Sequence, residues 1–225
     1  MISLPDDDDF ARSLRGFGPI GILAIIVIVF IGNDWILPIG ALLAIAWAWR
    51  SHTPWKEIGF VRPKSWVATI IGGIVFGVFL KFFAKAVILP LLGAPPANQT
   101  YRYLVGNAAA MPGMLWTVVV AAGFGEETVF RGFLFERLGR LFGETWLAKA
   151  AIIVLVSALF AVAHYFGQGI PGMEQAAVTG LAFGTAYALT GQLWLVIIAH
   201  AAFDLAALAM IYWNLECAVA HFFFT

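Results

Sequence analysis

From Trp66 to Leu92 the chain carries only two charged side chains, Lys81 and Lys85, in an otherwise apolar or small-residue run. About 20 apolar residues in a helix cross the roughly 30 Å hydrocarbon core of a bilayer. Inside that core every backbone N–H and C=O must be satisfied internally, which leaves the helix or the closed barrel. Runs of this kind recur, with spans expected near 17–32, 35–49, 66–92, 112–142, 145–166, 174–190 and 192–213. The composition agrees: of 225 residues, 62% are hydrophobic and 12% charged, where a soluble domain carries about 25% charged. The expected fold class is therefore all-α, a polytopic membrane bundle of about seven or eight spans.

Punctuation between the runs sets the boundaries. Residues 1–16 read as a polar tail, acidic at "PDDDDF" and unlike a signal peptide, with an interfacial helix near its end. Asn33-Asp34 reads as a tight turn. Residues 17–213 form the helical domain, and 214–225 an apolar tail that either lies on the surface or begins an eighth element. Pro112 suits a first turn and Gly143 a stop, so one helix is expected between them. Lys and Arg concentrate in the loops of one side, including Arg50, Lys56, Arg62, Arg137 and Lys149, and that side is expected to be cytoplasmic. Zero formal net charge gives no reason to expect nucleic acid, and the single Cys217 excludes an intramolecular disulfide.

Ionisable groups at membrane depth are costly and point to function. Glu126, Glu127 and Arg131 fall in the fourth span, His164 in the fifth, His200 and Asp204 in the seventh. Glu127 and Arg131 are four apart and stack on one helix face, as do Phe160 with His164 and His200 with Asp204. Glu126, about 100° further round an α-helix, is expected to face elsewhere. At 1.5 Å per residue from the basic side, Glu126 lies about 24 Å up, His164 about 27 Å and Asp204 about 18 Å. The three helices can thus bring these groups to one level. Lys81 and Lys85 share one face of the third span and read as snorkelling side chains or an interior pair.

A carboxylate and a histidine around a water can hydrolyse an amide, with the acid as general base and further donors for the oxyanion. The same residue types can instead hold zinc, with Glu126, His164 and His200 as ligands and bound water as the nucleophile. Adjacent Glu126 and Glu127 point apart in an α-helix and are not expected to face one ion together.

"EETVFR" (Glu126 to Arg131), "FAVAH" (Phe160 to His164) and "HAAFD" (His200 to Asp204) resemble, in order and each on its own apolar helix, the three motifs of the CPBP or Abi family of CAAX proteases and bacteriocin-processing enzymes, with its Rce1-like branch. "WKEIGFVRPKS" before the third span also resembles a stretch found upstream in these proteins. The motif-bearing core is about residues 112–210. The resemblance implies an intramembrane endopeptidase. Glu126 would activate water with help from His164, and His200 with Asp204 would stabilise the oxyanion. Glu127, Arg131 and Phe160 would support them. Position 204 departs from the Asn usual in the Rce1 branch; an ionised Asp204 would orient His200, and a protonated one could donate. No cofactor is expected, with zinc as the alternative. Expected partners are the bilayer and a membrane-bound, CAAX-type lipidated peptide or protein, in a prokaryotic plasma membrane. A bacteriocin-immunity or scaffold role without catalysis is the non-enzymatic rival. A proton-relay transporter is the third class, against which stands the lack of inverted repeats.

Overall fold

The structure is a computed structural model that describes residues 9–31 and 38–224. Asn33-Asp34 and the start of the expected second span fall outside the described residues. Helix α1 (Asp9–Arg15) leads into α2 (Pro19–Ile26, continued as a π-helix over Val27–Ile31). Then come α3 (Ile39–Arg50), α4 (Trp66–Leu91), α5 (Ala108–Phe142), α6 (Trp146–Thr190), α7 (Leu193–Tyr212) and the short α8 (Glu216–Ala220). No strand occurs among the described residues. The molecule is an all-α bundle.

Four helices, α4 to α7, are long and apolar enough to cross a membrane, or five with α1 and α2 taken as one span bent by 56°. The expected seven or eight spans are not confirmed. The described part of the second, α3, has 12 residues and rises only about 18 Å. The expected fifth and sixth spans are joined in α6, which nevertheless reverses at Gly169. That residue has φ 66° and ψ −161°, a conformation open essentially to glycine alone, and Pro171 starts the returning limb. Gly180 then packs on Ser157 and Gly184 on Ile153, an antiparallel pairing that only a hairpin gives. Each limb, 146–168 and 170–190, rises about 30 Å, the thickness of a bilayer core.

Surface and interior are inverted relative to a soluble protein. On α4, Ile70, Ile71, Ile74, Val75 and Phe79 are exposed, while Gly73, Gly77 and Lys81 are buried. The protein is an integral membrane protein, and these apolar faces meet lipid. Between helices in lipid, association depends on close packing by small residues. Gly73 and Gly77, four apart, provide it for α4 against α7: any Cβ at Gly77 would collide with the Ala199 carbonyl. Gly123 of α5 likewise meets Ala201, at 3.0 Å from where its Cβ would stand. Both contacts flank His200, so backbone proximity fixes its height against α4 and α5.

Helix α5 is widened. It is π-helical over Thr117–Glu126 and again over Thr128–Leu134. Such helices are rare and occur mostly as single turns at functional sites. Arg137 anchors its far end: the guanidinium donates to the Arg15 and Gly16 carbonyls and lies over the rings of Phe17 and Trp47.

Candidate active site

The six ionisable residues singled out in the sequence converge where α5, α6 and α7 meet. Glu127 is fully buried and is held from two sides. Arg131 Nη1 donates to its Oε1 at 2.6 Å, and His200 Nδ1 donates to the same oxygen at 2.7 Å. Arg131 is itself buried between the rings of Phe160, 4.6 Å from its guanidinium carbon, and Phe183, at 5.9 Å. A second nitrogen, Nη2, lies 3.4 Å from the Gly180 carbonyl of the returning limb of α6.

Glu126 faces the same imidazole from its other edge. Its Oε2 is 3.9 Å from His200 Nε2 and 4.0 Å from His164 Nε2, too far for direct hydrogen bonds. That oxygen is buried and has no hydrogen-bond partner within the described protein. His164 is oriented by its own helix, with Nδ1 donating to the Phe160 carbonyl at 2.9 Å. Asp204 Oδ2 stands 3.4 Å from His200 Nε2. Phe160 therefore serves twice, its ring on Arg131 and its carbonyl on His164.

Glu126 and Glu127, expected to face different ways, meet opposite nitrogens of one imidazole, Glu127 Oε1 at Nδ1 and Glu126 Oε2 near Nε2. Glu126 ends the first π-helical stretch of α5, and Glu127 separates it from the second. The other pairings follow the four-residue spacing: Glu127 with Arg131, Phe160 with His164, His200 with Asp204. Zinc needs three donors about 2.0–2.3 Å from one point. Among the described residues no three His, Cys, Asp or Glu side chains are grouped to hold a metal ion, Glu126, His164 and His200 included.

A cavity of about 100 Å³ opens from Glu126, His164, His200 and Asp204. That is room for several waters. Its other walls include residues that sequence reasoning did not single out: Gln175, Asn98, Tyr101 and Glu216. They lie in the loop 92–107, the returning limb of α6 and the tail, and no local spacing connects them to the motifs. Tyr101 belongs to that loop, and burial, reinforced by the Asp204 charge, pushes its phenol up to about 12. It is a permanent O–H donor at neutral pH. Lys81 and Lys85 point inward rather than snorkel: Lys81 lines the cavity, and Lys85 pairs with Glu216 at 3.0 Å.

Fold and site together define a membrane-embedded helical protein with a buried acid–imidazole cluster on a small polar cavity. Residues 108–206, which hold every member of that cluster, match the family model described as "Type II CAAX prenyl endopeptidase Rce1-like", so this part of the chain is similar to that family. No curated protein and no solved structure matches the chain.

Proposed function

We propose that the protein is an intramembrane endopeptidase that hydrolyses a peptide bond of a membrane-associated, lipidated substrate with water activated by Glu126. The observation that carries this reading is the buried Glu126 Oε2, poised between His164 Nε2 and His200 Nε2 without a hydrogen bond to the described protein. Gaps of 3.9–4.0 Å between polar atoms on a cavity wall are where a bridging water is to be sought.

Glu126 takes a proton from the water, and the hydroxide adds to the scissile carbonyl. His200, held by Glu127 through Nδ1, presents Nε2 to the cavity and donates to the oxyanion. Asp204 orients that edge of the ring from 3.4 Å. The tetrahedral intermediate collapses, the C–N bond breaks, and the proton held by Glu126 passes to the leaving amine, with His164 assisting. Products are a carboxylic acid and an amine, which become carboxylate and ammonium by transfer of one proton between them, with one water consumed. Arg131 neutralises Glu127, so the charge that orients His200 remains buried at tolerable cost. No metal enters this scheme, and Arg131 adds positive charge beside the site where a cation would sit.

The test is cleavage of a quenched fluorescent peptide carrying a farnesylated cysteine, with purified protein in detergent micelles. Turnover that persists in chelator and vanishes in Glu126→Gln is the expected result. A purified, folded chain that cleaves none of a panel of lipidated peptides, or a Glu126→Gln variant as active as the parent, overturns it.

A further inference from the structure

We propose that Lys81 is a specificity residue that receives a carboxylate of the substrate inside the cavity; the inference rests on the peptidase reading above.

Two buried lysines stand one turn apart on α4 and are treated differently. Lys85 is neutralised: its Nζ is 3.0 Å from Glu216 Oε1, and the other oxygen of that carboxylate accepts from the Asn98 backbone N–H at 3.0 Å. Lys81 is equally buried, but the hydrogen bond it makes is to a neutral acceptor, Gln175 Oε1, at 2.7 Å. Among the described residues no carboxylate oxygen lies within 4.0 Å of its nitrogen. One face of the ammonium is covered by the Phe203 ring, 4.9 Å from nitrogen to centroid. An ammonium has three N–H donors, so capacity for an acceptor remains on the cavity side.

Burying a cation without a bonded anion is costly, and it persists where the charge has work to do. Lys81 lines the same cavity as Glu126, His200 and Asp204. It lies about 22 Å along α4 from the basic side, level with the acid–imidazole cluster. Asn98 and Gln175 on the same wall supply amide groups suited to a peptide backbone. A peptide whose scissile carbonyl meets Glu126 would therefore set a negative group against Lys81. An anion is the chemistry that complements an ammonium whose hydrogen bond goes to a neutral amide. The carboxylate can be a chain terminus or an acidic side chain, and the two require different substrates.

The experiment uses the full chain and three farnesylated quenched peptides: one ending in a free carboxylate, one in a carboxamide, and one in a carboxamide with a Glu near the end. The parent is expected to favour an anionic peptide over the plain carboxamide by about tenfold or more in kcat/KM, the scale of one charge-assisted hydrogen bond. Preference for the first peptide identifies a terminal carboxylate, and for the third an acidic side chain. In Lys81→Met the acid-to-amide ratio is expected to fall to about one, and in Lys81→Arg to be retained. Binding of the same peptides to the Glu126→Gln background supplies a readout free of turnover, and circular dichroism melts check folding. A parent that cleaves all three equally, or a Lys81→Met variant that keeps the parent's ratio in cleavage and binding, overturns the proposal while the peptidase reading stands. A parent that cleaves none defeats the peptidase reading and this inference with it.

Discussion

Two buried ion clusters lie within one bundle and are built on opposite plans. Around Lys85 and Glu216 each charge is met by a partner: Lys85 takes one carboxylate oxygen and the Asn98 N–H the other. This ties α4, the loop 92–107 and the C-terminal tail together. Around Glu126 the plan is incomplete. Glu127 is doubly bound at Oε1 by Arg131 and His200, whereas neither oxygen of Glu126 accepts a hydrogen bond among the described residues, and Oε2 of both carboxylates has no partner within the described protein. A satisfied cluster stabilises a geometry, and an unsatisfied one keeps capacity for a reactant. The difference between neighbouring carboxylates on one helix is sharper still. On the proposed reading Glu127 is the support, and Glu126 is the group left to act.

That contrast breaks most visibly at Glu126. Glu126→Gln should lower peptide hydrolysis by about 10²–10⁴-fold, the range of a general base. Its melting temperature should stay near that of the parent, and steady-state cleavage with parallel melts decides the matter. Glu127→Ala should fail on both counts. It leaves Arg131 unpaired at full burial, a loss of about 3–5 kcal/mol, and frees His200 Nδ1 as well. Equal melting of the two variants would erase the division of labour. Glu127→Ala with Arg131→Met should recover much of the stability and none of the activity.

The Glu126 cluster was legible in the sequence because the pairings within each of its helices are local. Glu127 with Arg131, Phe160 with His164 and His200 with Asp204 are each four residues apart, and the helix brings such residues together. Depth counting then set the three helices level. The other cluster was not legible, since Lys85 and Glu216 are 131 positions apart and only tertiary packing joins them. The Glu127–His200 bond escaped for the same reason, at 73 positions. The reversal at Gly169 was legible in "GQGIPG", where a glycine and a proline punctuate an apolar run. The number of crossings was not, because α3 is apolar yet short.

Smaller effects sharpen the comparison from the other cluster. Glu216→Ala should cost about 3–5 kcal/mol, since Lys85 is then left buried without its anion. The pair Lys85→Met with Glu216→Leu should be neutral or stabilising by about 1–4 kcal/mol. Chemical denaturation in mixed micelles compares the two, and a double variant as weak as Glu216→Ala would mean that the Asn98 contact carries the tie. The smallest expected change comes from chelator. With hydrolysis driven by Glu126 alone, EDTA or phenanthroline should alter the rate by less than about twofold. Loss of activity that zinc restores, with one metal per chain by elemental analysis, would move Glu126 from base to ligand.

The widened α5 has a consequence for how this motif tolerates change. A helix closed by longer rings holds its side chains in a phase of their own, and Glu126 and Glu127, which straddle His200, sit where the two π-helical stretches meet. The stretch Thr117–Glu126 touches the cluster only at its end, yet all of it sets the angle at which the carboxylates arrive. Arg137, clamped to the chain before α2, holds the opposite end of the same shaft. Insertion or loss of one residue between those points would turn the two acids past the imidazole with every motif letter still in place. The spelling of "EETVFR" is therefore only half of what is inherited, and the other half is timing.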